Sequence, residues 1–211
     1  MEQNMQIYKT IKQYGEGEIV EKKSRFLGKI KQVETEEEAL EFIESIKKQY
    51  WDARHNCFAY IIGTKGETVR CSDDGEPSGT AGKPMLEVLQ NQELRNVVAV
   101  VTRYFGGVLL GTGGLVRAYT QATQEALKEA QVATMTPMAV MTVKTDYNAI
   151  GKIKYVLAKE EVPVLNEEYA VDVVVTMAVS LAEKERMIKK LIEVTNGKAV
   201  IEEKEQIFMA L

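Results

Sequence analysis

The stretch from Val97 to Ala122, VVAVVTRYFGGVLLGTGGLVRAYTQA, constrains this chain more than any other segment. Val97 to Val101 are all apolar, as expected of a strand covered on both faces. Arg103-Tyr104-Phe105-Gly106-Gly107 follow, and then Gly111, Gly113 and Gly114. Glycines gather where the backbone takes a positive φ or lets another backbone or a ligand come close. The residues after them predict a helix starting near Thr112, whose free N–H groups face the loop. Such a helix end can hold an anion such as a phosphate. The glycine-dense loop is therefore where function is expected.

The rest of the chain narrows the class. Its 211 residues suffice for one large or two small domains. No apolar run approaches the roughly 20 residues that span a bilayer. The N-terminal segment is polar and has no signal-peptide core, and two cysteines, Cys57 and Cys71, make no disulfide framework. These features point to the cytoplasm and away from a membrane. The formal net charge is −4. Residues 1–135 carry 17 Lys/Arg against 19 Asp/Glu, and residues 136–211 carry 10 against 12. Indiscriminate binding to nucleic acid needs many phosphate contacts, so it is not expected. A local basic patch on an acidic body is compatible with these numbers.

Periodicity divides the chain in two. Ile19 to Gln32 reads as a strand with a basic entry, Lys22-Lys23-Ser24-Arg25, either a solvated edge or a binding element. Residues 35–50 predict an amphipathic helix, with Thr35 and Glu38 fitting a capping box. Asn56 to Ile62 and Thr68 to Cys71 read as a hairpin. A long polar loop follows, Ser72 to Pro84, with Pro84 opening a short helix through Leu89. After Gln131 the pattern restarts. It predicts strands at 138–144, 162–166, 169–179 and 198–209, and helices at 146–159 and 181–194. The order β-α-β-β-α-β is the ferredoxin-like arrangement, with both helices expected on one face of an antiparallel sheet. The boundary is placed near Ala133-Thr134-Met135-Thr136-Pro137, giving domains 1–134 and 135–211 of an α+β protein.

Several chemical sites fail on their own spacing. A P-loop reading of Gly79-Thr80-Ala81-Gly82-Lys83 needs Gly at 77 and Ser or Thr at 84, and both positions hold Pro. A dinucleotide fingerprint from Gly111 needs glycine at 116, which is Val116. His55 is the single histidine, and with Cys57 and Cys71 it makes three soft ligands where a structural zinc site has four. Asp73-Asp74-Gly75 is first of all a turn signal. His55 and Cys57 share one side of a strand about 7 Å apart, too far for direct proton transfer. Cys57 is expected across the hairpin from Cys71, as two packed thiols. No catalytic residue, metal or cofactor is expected.

What survives is a set of polar groups at loops: Arg54, His55, Ser78, Thr80, Lys83, Arg103, Tyr104, Thr112 and Arg117. Arginine offers bidentate contact to phosphate, and Tyr104 and Phe105 can stack on a base. Helix N-termini near Thr112 and Pro84 add backbone donors. The competing reading pairs Arg103 with Asp73 or Asp74 and packs the two aromatics in the core, which is favoured for Phe105. Residues 52–117 hold seven Lys/Arg and seven Asp/Glu, so the segment as a whole is not basic.

These residues resemble a known family. Val97-Val98-x-Val100-Val101 followed by Arg103-Tyr104-Phe105-Gly106-Gly107-x-x-x-Gly111 is similar to the signature of the IMPACT family, in its bacterial YigZ/YvyE branch. Ser72-Asp73-Asp74-Gly75-Glu76-Pro77-x-Gly79-Thr80-Ala81-Gly82 and Lys23-Ser24-Arg25-Phe26 match as well, in family order, over about residues 22–122. The resemblance implies an N-terminal domain like domain 2 of ribosomal protein S5 and a ferredoxin-like C-terminal domain. Both resemble late domains of the translocating elongation factor. It also implies kinship with eukaryotic proteins that modulate translation by competing for a ribosome-associated activator of a stress kinase. Some bacterial members carry a proline dipeptidase label, for which this chain lacks the metal ligands. Three functions are weighed: a non-enzymatic binder of RNA or the ribosome, a regulator docking a translation-associated protein, and a hydrolase using the 72–83 loop. The first is expected.

Overall fold

The computed structural model describes residues 5–210. The outermost residues assigned to the two expected domains, 1–4 and 211, lie outside that range. The chain forms two compact units, one over Tyr8–Met135 and one over Thr136–Met209.

The first unit begins with β1 (Tyr8–Ile11) and a hairpin of β2 (Gly15–Glu21) and β3 (Ser24–Gln32). The single strand expected over Ile19 to Gln32 is thus two. Glu21 pairs with Ser24, leaving Lys22 and Lys23 as a two-residue turn with φ of 46° and 67°. Paired positive φ values define a type I′ turn. The turn lacks the Asn-Gly signal because lysines occupy the left-handed positions.

Helix α1 (Glu36–Gln49) starts with half of the expected capping box: the Glu38 amide donates to Thr35 Oγ1 at 3.2 Å, while Glu38 Oε2 accepts from the Glu34 amide in place of the Thr35 one. Strands β4 (His55–Ile62) and β5 (Thr68–Ser72), helix α2 (Gly82–Asn91), strand β6 (Val97–Tyr104) and helix α3 (Gly111–Ala130) complete the core of the unit. The sheet runs β2-β3-β6-β4-β5, antiparallel throughout. Alternation along β6 explains its uninterrupted apolar run. Val98 and Val100 pack with Phe42, Ile43 and Ile46 of α1. Val97, Ala99 and Val101 pack with Met85 and Leu89 of α2 and Leu115 and Tyr119 of α3. Both faces of the strand are therefore buried.

Strand β7 (Val132–Thr145) runs through the segment read as a boundary. Val132 to Met135 pair with β1, and Met138 to Thr145 pair with β9 (Val173–Ser180). Pro137 falls between these two registers. In the second unit the elements follow the order β7, α4 (Ile150–Lys159), β8 (Val164–Tyr169), β9, α5 (Lys184–Val194) and β10 (Val200–Ala210). Strand β8 pairs with β9 and β10 pairs with β7. Alternate residues Ala139, Met141 and Val143 of β7 and Val173, Val175 and Met177 of β9 join Ile153 and Leu157 of α4 and Met187 and Leu191 of α5 in one core. Both helices thus cover one sheet face. Among the described residues, no helix is long and apolar enough to cross a membrane.

The 72–82 loop is held by one carboxylate. Asp73 Oδ1 accepts from the Ala81 and Gly82 amides, each at 2.9 Å, and Oδ2 accepts from the Gly79 amide at 2.8 Å. Burial pushes this carboxyl up, but the three backbone donors outweigh it and hold it below its ordinary 3.8. A lowered folded value means the contribution is present above the ordinary value and is lost as pH falls through the folded one. Asp73→Ala is expected to cost about 0.5–2 kcal/mol at neutral pH, as a lost N-cap does. Urea melts between neutral pH and pH about 3 should show the gap between the two proteins narrowing on the acid side.

Candidate functional site

Strand register gathers the chemistry at one end of the first unit's sheet. Arg25 lies opposite Tyr104, His55 opposite Arg103, and Phe58 opposite Ser72. The Lys22-Lys23 turn, the residues before His55, the loop after Ser72 and the loop after Tyr104 therefore emerge together. Helices α2 and α3 start at the same end.

The glycine-rich loop lies directly on the lysine turn. The Gly106 amide donates to Ser24 Oγ at 3.0 Å, and a Cβ on Gly106 would sit 2.0 Å from the Lys23 carbonyl carbon. Only glycine fits there. Helix α3 then begins with no side-chain cap and no acidic residue in its first turn. Thr112 is exposed on that turn, and Arg117 Nη1 lies 3.7 Å from where a Gly113 Cβ would be. The N-terminus of α2 differs. Asp73 accepts from its Ala81 and Gly82 amides, two of the backbone donors expected to serve a ligand at this end.

Arg103 points inward. Its side chain is 7% exposed and its Nη1 donates to Glu76 Oε1 at 2.7 Å; the Glu76 side chain is 3% exposed. Tyr119 Oη donates to the same oxygen at 2.8 Å. The partner is thus neither Asp73 nor Asp74, because Asp73 caps α2 and Asp74 Oδ2 accepts from the Asn56 amide at 2.7 Å. A guanidinium so enclosed supports the loops from within, and its 7% exposure leaves little of it for the direct phosphate contact expected. Thr80 is also buried, its hydroxyl donating to the Pro77 carbonyl at 2.7 Å. The half-buried His55 donates from Nδ1 to the Asp74 carbonyl at 2.9 Å.

The other expected residues face outward. Arg54, Ser78, Lys83, Thr112 and Arg117 are exposed. Tyr104 is half-buried and donates to Asp52 Oδ1 at 2.7 Å; this bond to a carboxylate holds its phenol up at about 12. Phe105, expected in the core, is 53% exposed, because β6 ends at Tyr104 and the alternation that would bury it ends there too. The cysteines do not face each other. Ala59 lies opposite Cys71, which is exposed, while Cys57 is buried with its thiol donating to the Asp73 carbonyl at 3.0 Å. Burial pushes the Cys57 thiol well up, the opposite of what a nucleophile needs. Among the described residues, no group of three or more His, Cys, Asp or Glu is placed to hold a metal ion.

Two features escaped sequence reasoning. Trp51 is 82% exposed at this end. The acids are spent on the fold: Asp52 on Tyr104, Asp73 on three amides, Asp74 on Asn56, Glu76 on Arg103 and Tyr119, and Glu18 on Arg25 at 2.7 Å. Of these acids, Glu18 and Glu76 are paired with arginines, while Asp52 and Asp73 accept from neutral groups and keep their charge. Lys22, Lys23, Arg54, Lys83 and Arg117 are exposed and form no ion pair among the described residues; Glu21, and Glu87 one helical turn from Lys83 on α2, are exposed acids beside them that are likewise unengaged.

A helix-covered antiparallel sheet whose Arg-Tyr-Phe-Gly-Gly and Ser-Asp-Asp-Gly-Glu-Pro loops meet at one end defines a class with known members. Residues 22–127 match the Impact N-terminal domain, and residues 143–198 match a domain of unknown function, DUF1949. The chain belongs to the IMPACT family. It is 45% identical to the IMPACT family member YvyE of Bacillus subtilis, over 96% of this chain and 93% of that one. It is 36% identical to YigZ of Escherichia coli, over 83% and 87%. Protein IMPACT-B of Xenopus tropicalis is 35% identical over 44% of this chain and 30% of its own. A crystal structure described as that of a hypothetical protein superposes with a TM-score of 0.61 at 33% identity, covering 95% of this chain and 98% of the other.

Proposed function

We propose that this protein is a non-enzymatic, translation-associated regulator that binds RNA or the ribosome through the loop end of its N-terminal domain. The observation that carries the reading is the group of five exposed cations, none in an ion pair among the described residues, around an uncapped helix N-terminus. Lys22, Lys23, Arg54, Lys83 and Arg117 contact phosphate, and the open amides of α3, with Thr112 and Ser78, add neutral donors. Arg103 positions the loops. His55 and Thr80 shape them, and Tyr104 fixes one wall. In this reading the domains span 1–134, like domain 2 of ribosomal protein S5, and 135–211, ferredoxin-like, and the protein works in the cytoplasm.

The test is affinity for ribosomes and for structured RNA across a salt series. Arg54→Ala, Lys83→Ala and Arg117→Ala should each weaken binding and lower the salt slope by about 1. A salt-independent affinity, or wild-type binding by all three variants, removes the reading.

One observation favours a translation-associated protein as the partner instead: Leu109 is 83% and Val108 45% exposed at the loop crest, a combination suited to a protein surface. A ribosomal pull-down that survives nuclease and is lost in Leu109→Asp selects that second reading.

A further inference from the structure

We infer that the RNA taken at this end is single-stranded, with its bases stacked on Trp51 and Phe105 and its phosphates on the surrounding cations. The inference rests on the RNA-binding reading and specifies its substrate class. Trp51 and Phe105 are 82% and 53% exposed. They are carried on two segments that the fold ties together. Asp52, next to Trp51, accepts from Tyr104 Oη at 2.7 Å, and Tyr104 is next to Phe105. The backbone under Trp51 is fixed as well, because the Ala53 amide donates to the Tyr50 carbonyl at 3.0 Å, closing a turn with Trp51 inside it. Phe105 is backed by the Arg103 guanidinium, 5.6 Å from its ring centre, which Glu76 holds in place. Both rings are thus mounted on anchored backbone and left uncovered.

Exposed aromatic faces beside lysines and arginines suit unpaired bases, since every base offers a π-face and each step of the strand brings a phosphate. An A-form duplex hides its base faces within the stack and offers only backbone. Duplex RNA therefore satisfies the cations and leaves the rings idle, while a single strand engages both.

Trp51 is the single tryptophan of the chain, so its emission reports on this place alone. The experiment titrates the full-length protein with a non-self-complementary RNA of about 12 nucleotides and with the matching duplex, reading Trp51 fluorescence and affinity together. The expected result is quenching by the single strand and little change with the duplex. Trp51→Ala and Phe105→Ala should each weaken single-strand binding about tenfold and leave duplex affinity unchanged, whereas Trp51→Tyr keeps it. Equal affinity for both RNAs, retained in Trp51→Ala and lost in Arg54→Ala, overturns stacking and leaves phosphate docking intact. Absence of binding by either RNA at low salt overturns both.

Discussion

Arg103→Met is expected to cost about 3–5 kcal/mol of folding stability, the range for removing one partner of a buried ion pair. The cause is what it leaves behind. Glu76 keeps only the Tyr119 hydroxyl, at 2.8 Å, for a carboxylate whose side chain is 3% exposed. The pair is not ideal even when intact, because Arg103 Nε is buried without a hydrogen-bond partner. A neutral replacement of both partners should therefore recover much of the loss. In Arg103→Met/Glu76→Gln the new amide still accepts from Tyr119, and no charge is stranded. Urea unfolding of the two single variants and the double variant closes the cycle. Losses that simply add would mean that the two groups do not interact. The functional consequence follows from connectivity. Glu76 belongs to the 72–82 loop and Arg103 to β6, so breaking the pair loosens the loop behind Lys83 and the backing of Phe105. RNA affinity should fall in Arg103→Met and return in the double variant, which separates support from direct phosphate contact.

Much of this was legible where the signal is local. Thr35 and Glu38 announce α1 because a capping box is written within four residues. The buried run from Val97 announces β6 because burial on both faces removes the alternation of polar residues. Even the inward turn of Arg103 was present in the strand's period: Val97, Ala99 and Val101 face α2 and α3, and Arg103 is the next residue in that series. What that period could not supply was the partner. Glu76 sits in a loop of turn formers, where a carboxylate reads as solvated, and only the meeting of two loops buries it. Phe105 failed for a related reason, since composition predicts burial and the strand ends one residue earlier. The Lys22-Lys23 turn carries no glycine or asparagine to mark it. The opposition expected for Cys57 and Cys71 depended on a register that the sequence does not contain. The unpaired state of Arg54, Lys83 and Arg117 was hidden by counting, because seven acids and seven bases do not say which of them the fold pairs.

Gly28→Val is expected to be severely damaging although it removes no charge. Gly28 faces Gly17 across the β2–β3 ladder, and helix α3 lies on this pair. A Cβ at Gly28 would sit 2.3 Å from the Ala122 carbonyl oxygen, and one at Gly17 would sit 2.5 Å from the Ala126 amide nitrogen. Both obstacles are helix backbone, so no rotamer change relieves them and α3 must move as a body. Gly28→Ala should cost the upper end of about 1–3 kcal/mol, and the larger valine more. Gly151→Ala is the matched control, since nothing lies within 4 Å of its would-be Cβ near the start of α4. That change should stabilise by about 0.4–1 kcal/mol, through the unfolded chain. Thermal or urea melts of the two alanine variants are thus expected to move in opposite directions. The same contact ties stability to function, because the helix that rests on Gly28 carries Thr112 and Arg117 at its other end. If Gly28→Ala folds, its ribosome or RNA affinity should fall although no residue at the proposed binding end has changed. A variant that is destabilised yet binds like the wild type would show that α3 does not hold that end in register.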